Sequence, residues 1–304
     1  TTVLLPTTLL AADPLTLKLQ FKQGEVRRYD FTTLQNATQE IGGVKQDVQQ
    51  SSSLRLRLEV QAVSEAGDAT IAAHYERATL KSNSGQFSVD YNSDTTAAGS
   101  TPGNPLPDLF ESLIGRPFTF TLTPMGEVKD VKGYKEALEA SFAATRFPET
   151  PPMQALRAQL QQQFTEDQLR NLLGRLSVHL PQKAVKQGDS WTKEVVLSQG
   201  IPMAVKSTFT LEKATAQEIY LRQQGTVTPN TAAPPLVHGS LTLKPELNGT
   251  ETGTTTLDRA SSWPVRASSQ QDVQGSFHVT GLPDEQTAKI PLTVKTEMGL
   301  VVLP

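Results

Sequence analysis

The sequence predicts an α+β protein that is mainly antiparallel β, with two related β-sheet halves joined by a central helical segment. Three observations carry that prediction. Apolar and polar residues alternate over long stretches toward both ends of the 304-residue chain, the period of a half-buried strand. The links between these stretches are too short for crossover helices, so the strands must run antiparallel. Only the centre shows helical spacing. The expected division is a signal-peptide remnant over 1–12, an N-terminal β half over 13–131, a helical connector over 132–180 and a C-terminal β half over 181–304.

Residues Thr1 to Ala12 read TTVLLPTTLLAA. An apolar stretch of this length ending in small residues has the form of a secretory h-region with its cleavage site. It is too short to span a bilayer, and no other segment approaches spanning length. A soluble, exported, periplasmic or secreted protein is therefore expected, released at Ala12-Asp13 rather than held by a lipid anchor. The absence of cysteine from all 304 residues removes disulfides, thiolate metal sites and a cysteine nucleophile. Such a protein depends on core packing. Lys and Arg number 28 against 31 Asp and Glu, a balance that gives no electrostatic reason to expect nucleic acid as a partner.

The first expected strand is Leu15–Phe21, where Leu15, Leu17, Leu19 and Phe21 alternate with Thr16, Lys18 and Gln20. Gly24 breaks it, and Val26 to Leu34 resumes with Tyr29, Phe31, Thr32 and Thr33. Ile41-Gly42-Gly43-Val44 is a turn. Leu54, Leu56, Leu58 and Val60 then alternate with Arg55, Arg57, Glu59 and Gln61, giving one apolar and one solvated face. Glu65 to Asp68 links this hairpin to an inward series Ala69, Ile71, Ala73 and Tyr75. Gln86 to Tyr91 is a further short strand. A loop follows from Asn92 to Pro107, then a short helix from Asp108 to Ile114. Phe118, Phe120 and Leu122 make the next strand, and Met125-Gly126 turns the chain toward Val128 and Val131.

Helices are expected from Tyr134 to Thr145 and from Pro151 to about Phe164, the latter opened by proline. A third follows Thr165, which has capping-box spacing to Gln168, and its apolar face is Leu169, Leu172, Leu173 and Leu176. Amphipathic helices of this length pack on a sheet. Beyond Pro181 the strand pattern returns over 190–197, 205–213, 218–227, 239–243, 253–259, 262–273, 277–280 and 290–296. Asn248-Gly249 is a hairpin signal, and Glu297-Met298-Gly299 is a second candidate turn.

Lys22-Gln23-Gly24-Glu25 returns as Lys186-Gln187-Gly188-Asp189, each before an aromatic strand, an offset of 186 − 22 = 164 residues. With the matching order of elements this suggests an internal duplication. The KQGEVRRYDF turn and strand, the Leu54–Ala62 strand, the GRPFTFTLTPMGEVKDVKG stretch and the late KQGDSW after a helical centre form one set. Together they resemble a family of exported bacterial proteins known only as a domain of unknown function. The resemblance runs from about Leu15 to Val279 and implies export and a β-rich fold. It brings no activity and no catalytic residues.

Chemistry is sparse. His74, His179, His238 and His278 lack metal-ligand spacing, and no nucleophile elbow, P-loop, dinucleotide fingerprint or calcium loop occurs. No cofactor, metal site or catalytic residue is assigned. Trp191 with Asp189, and Phe118 with Phe120, are the candidate ligand contacts, since an aromatic can line an apolar pocket or stack on a sugar. Two functions follow. One is a non-catalytic exported protein holding an apolar, lipid-like molecule in a concave β surface, or meeting an envelope protein there. The alternative is an envelope hydrolase whose dispersed carboxylates converge on a glycan or peptide.

Overall fold

The computed structural model describes residues 13–41, 43–83, 88–96, 105–177, 180–197, 201–238, 240–282 and 287–304. The expected signal remnant and His179 lie outside these residues. The strands are β1 (Val26–Ile41), β2 (Val44–Val63), β3 (Ala69–Asn83), β4 (Ser88–Asn92), β5 (Phe118–Leu122) and β6 (Val128–Lys132), then β7 (Ser190–Leu197), β8 (Met203–Ala214), β9 (Glu218–Pro229), β10 (Leu236–His238), β11 (Leu241–Asp258), β12 (Pro264–Thr280) and β13 (Ala288–Leu303). All join one antiparallel sheet in the order β6-β5-β3-β2-β1-β13-β12-β11-β9-β8-β7, with β4 beside β3 and β10 beside β11. The helices α1 (Leu106–Leu113), α2 (Tyr134–Ala144), α3 (Pro151–Gln163) and α4 (Glu166–Gly174) all fall between β4 and β7 in the chain.

The sheet curls. Phe120 on β5 and Leu211 on β8 belong to one buried cluster, although eight strand spacings separate them, about 38 Å in a flat sheet. Inside the curl, Tyr29, Leu56, Ile71, Phe118 and Leu257 pack with Leu169, Leu173 and Leu176 from α4 and the turn after it. A second cluster sets Ala78, Val89 and Tyr91 against Leu106, Leu109 and Phe110 of α1, with Phe142 and Leu160 from α2 and α3. The α1 residues fall at helical spacing, so one stripe of this two-turn helix faces the sheet. Thr165 caps α4 as its spacing predicts, accepting from the Gln168 amide at 3.2 Å.

Two differences from the sequence expectation are instructive. Leu15–Phe21 is no sheet strand. It makes an isolated bridge to Val185, and its amides reach the turns at Pro124 and Ser261. Leu17 and Leu19 are buried as their alternation requires, but the segment closes the floor of the core instead of extending the sheet. Trp263 is fully buried there, its Nε1 donating to the Gln20 carbonyl at 2.9 Å.

Asn248-Gly249 and Glu297-Met298-Gly299 are not turns. Both lie inside long strands, β11 and β13. Gly225, Gly249, Gly253 and Gly275 share the inward parity of their strands. A Cβ at any of them would run into the adjacent strand: at Gly225, into the Lys206 carbonyl oxygen at 2.8 Å. Bare glycine lets neighbouring backbones approach on the concave side, which is how a long sheet bends.

The Lys22–Glu25 and Lys186–Asp189 turns share a hydrogen-bond pattern. Gly24 N donates to Val60 O, and Gly188 N donates to Leu211 O, both at 2.8 Å. Both glycines have positive φ, +80° and +91°. The receiving strands β2 and β8 each carry a register shift beside the acceptor, at Val60/Ala62 and Leu211/Lys213.

Candidate functional site

The core does not fill the curl. Between the concave sheet and the α3–α4 side lies a cleft of about 780 Å³. Its apolar wall includes Leu54, Phe110, Phe164, Leu172, Met298 and Leu300. Across its floor the register sets Ser52, Thr33, Met298, Ser269, Gly253 and Gln223 in one row on β2, β1, β13, β12, β11 and β9. Apart from Met298, the side chains of this row are small or polar at core-facing parity, and the floor is left hollow.

The next row holds a buried carboxylate. Glu251 on β11 is 5% exposed and pairs in register with Gln271 on one side and Gly225 on the other. Its oxygens accept from Gln271 Nε2 at 3.0 Å, Gln223 Nε2 at 2.6 Å and Ser207 Oγ. Ser207 sits beyond Gly225 on β8, two strand spacings from Glu251, or about 10 Å. The missing side chain at 225 is what lets these groups meet. Three donors offset a desolvation cost that would otherwise be several kcal/mol.

On the helical side, Arg175 follows the last residue of α4. Its Nη2 donates to the Gly299 carbonyl at 2.8 Å, and its guanidinium lies 5.5 Å from the Phe31 ring centroid. Burial, with no charged neighbour contributing, lowers its pKa to about 10. Tyr75 and Tyr134 meet through their hydroxyls at 3.3 Å on the cleft wall. Burial pushes Tyr134 up to about 12 and Tyr75 well above the usual phenol range, so both present neutral hydroxyls.

The sequence candidates lie elsewhere. Phe118 and Phe120 are buried in the core, Phe118 edge-on to Tyr134 at 5.1 Å. Trp191 is half-buried at the start of β7 and stacks on Phe209 at 6.2 Å. Asp189 closes its own turn, its Oδ2 accepting from the Lys186 amide at 3.0 Å. The structure brings Phe118 and Phe120 together and Trp191 beside Asp189 in the chain, and does not set these four around the cleft.

Arg175 and Glu251 escaped the sequence reading. A signal for Glu251 existed: it shares parity with Leu247, Thr255 and Leu257, an acid on a core-facing register. Reading Asn248-Gly249 as a turn cut that register in two. Arg175 stands three residues after Leu172 and one before Leu176, beside the apolar stripe of its helix.

Fold and site together define a curled antiparallel sheet with helices across its concave side and a hollow, mostly apolar cleft between them. The chain belongs to the family described as "Family of unknown function (DUF6263)", which it matches over residues 66–264. A comparison with curated proteins finds no match. Among solved structures, the fold is similar to one described as "Lipid-protein interactions in lipovitellin", with a TM-score of 0.52 and 12% identity over 94% of this chain. The match takes in 26% of the lipovitellin chain, so this chain spans about a quarter of that length. DynF from the dynemicin biosynthesis pathway of Micromonospora chersina gives 0.19 at 6% identity, over 98% of this chain and 90% of that one. The translocator domain of the autotransporter NalP from Neisseria meningitidis gives 0.20 at 8% identity, over 92% and 89%. Neither of the last two bears on the fold. No helix among the described residues is long and apolar enough to cross a membrane.

Proposed function

We propose that this is a non-catalytic, exported protein that holds an apolar, lipid-like molecule in the cleft between its curled sheet and α3–α4. The observation that carries the reading is the hollow itself. About 780 Å³ of space lies beneath Leu54, Phe110, Phe164 and Leu300, within the usual range of about 300–1,000 Å³ for a small-molecule site. A filled core would have large side chains on the inward row where this one has Thr33, Ser52 and Ser269. The likeness to lipovitellin supports the architecture and nothing finer. Export is supported by the apolar stretch Thr1–Ala12 and its small-residue end; recovery of the protein in the cytosolic fraction of its cell would count against it.

Native mass spectrometry of the purified chain, with organic extraction of the same sample, is the direct test. An adduct of lipid mass, or uptake of an apolar fluorophore such as N-phenyl-1-naphthylamine, is expected. The cleft-filling substitution Ser269→Trp should suppress uptake while leaving the circular dichroism spectrum intact. A folded protein that carries nothing, and takes up neither the fluorophore nor any lipid offered, defeats the reading.

The two meanders, β1–β6 and β7–β13, are read as related halves of one sheet with α2–α4 inserted between them. The support is the shared turn: the same bonds from Gly24 and Gly188, beside the same register shift. Gly24→Ala and Gly188→Ala should then cost similar amounts, about 1–2 kcal/mol each at these φ values, and Glu25→Asp should be accepted within about 0.5 kcal/mol. Costs differing severalfold would argue against kinship.

A further inference from the structure

Arg175 is a half-buried cation whose contacts do not account for its charge. It sits on the cleft wall, partly desolvated, and among the described residues it pairs with no carboxylate. The side chain takes one neutral carbonyl and one ring face. A guanidinium carries five N–H donors, and its fork matches the oxygens of a carboxylate or phosphate. None of its nitrogens is both sealed from solvent and unbonded, so the donors left over open to solvent or the cleft. Removing a cation from water without a counter-charge is costly. If the tie to Gly299 were its whole purpose, a neutral donor would serve at lower cost.

The surroundings select what could supply the missing anion. The Phe31 ring lies under the guanidinium, and Leu172 and Leu300 line the same cleft, surroundings that suit apolar matter and not a free ion in water. Among the described residues that line the cleft, the buried carboxylate is Glu251, held on β11 by Ser207, Gln223 and Gln271, two strands away from β13 where Arg175 is anchored. Glu251 disfavours an anion beside it, and Lys193, in register with Ser207, already lies at that end to balance it; Arg175 has no such counter-charge and is the place for a negative head group.

We propose that the ligand of the cleft is a single-chain amphiphile with an oxyanion head, its carboxylate or phosphate paired with Arg175 and its chain laid along the apolar wall. This deepens the apolar-ligand reading and rests on it.

The test is calorimetric titration of the delipidated full chain with oleate, 1-oleoyl lysophosphatidate, oleyl alcohol and inorganic phosphate. The anionic chains should bind about tenfold or more tighter than the alcohol, as expected when a charge-assisted bidentate contact is gained. The stronger of the two anions tells whether the head is a carboxylate or a phosphate. Arg175→Gln should weaken both about tenfold and leave oleyl alcohol within about twofold; Arg175→Lys should fall between. The comparison of head groups in the unaltered protein decides the matter even where Arg175→Gln fails to fold. Equal binding of the alcohol and the anions overturns the role of Arg175 while the apolar cleft stands. Binding of phosphate alone, with no gain from a chain, overturns it as well. If no amphiphile binds, both readings fall together.

Discussion

The two ends of the sheet are built from the same kind of strand and treat their inner faces differently. Under α1–α4, the β2–β5 side is packed with large side chains: Leu56, Ile71, Phe118 and Phe120 are at most 2% exposed. On the β8–β12 side, the corresponding inward positions hold Ser207, Gln223, Gly225, Gly249, Glu251 and Gly253 at mid-strand. A smaller apolar group, Met203, Val205, Val227, Leu247 and Leu292, lies beyond them. The outer faces are less distinct. Arg28–Glu76 and Arg55–Asp30 ion pairs cross the first region, and Arg222–Glu212 crosses the second beside hydroxyl pairs such as Ser190–Thr210 and Thr254–Ser268. One region stores stability and the other makes room.

The largest effect that could break this contrast is a truncation. Phe120→Ala in the packed region should cost about 3–5 kcal/mol, whereas Val273→Ala beside the open rows should cost about 1. Urea denaturation measures both, and equal costs would erase the distinction. Next comes Gly225→Val, which puts a branched side chain between Ser207 and Glu251 against the Lys206 carbonyl. A loss of about 2–4 kcal/mol is expected, with the polar cluster broken; a neutral result would mean that bare glycine is not what permits the close approach.

Alkaline stability probes the packed side through its tyrosines. Burial raises Tyr134 to about 12 and holds Tyr75 well above the usual phenol range, against about 10 for the unfolded chain. Raised folded values mean that the stabilisation is complete below pH 10 and is lost as pH climbs toward 12. The melting temperature should therefore fall steeply from pH 10 upward, and Tyr134→Phe should flatten that fall. A profile indifferent to the substitution would place the hydroxyls in water. The smallest effect has the opposite sign. Gly174, at the end of α4, has no atom within 4 Å of a built Cβ and no positive φ, so Gly174→Ala should stabilise by about 0.5–1 kcal/mol. Destabilisation there would show that the cleft wall tolerates no added atom.

What could be read from the residues tracks what is local. The alternation at Leu54–Val60, the Gly67 and Gly126 turns and the Thr165 cap depend on neighbours in sequence, and the structure has them. The same local logic misassigned Asn248-Gly249 and Gly299, where glycine answers to a neighbouring strand instead of a turn. It also turned Leu15–Phe21 into a strand, although that alternation serves loops at Pro124, Val185 and Ser261 that pattern cannot bring together. The candidate site was least legible, since Glu251, Gly225 and Ser207 form a unit only through register between three strands.

The seam at the centre of the sheet has a consequence for how the molecule comes into being. Arg28 pairs with Leu303 and Gln39 with Leu292, so the middle of the architecture joins two strands that lie about 250 residues or more apart in the chain and leave a ribosome at widely different times. Until β13 emerges, β1 offers its open hydrogen-bonding edge to whatever strand is near. Pairings this distant in sequence form slowly and expose intermediates to aggregation. Whatever shields the β1 edge during that wait protects the yield of folded protein.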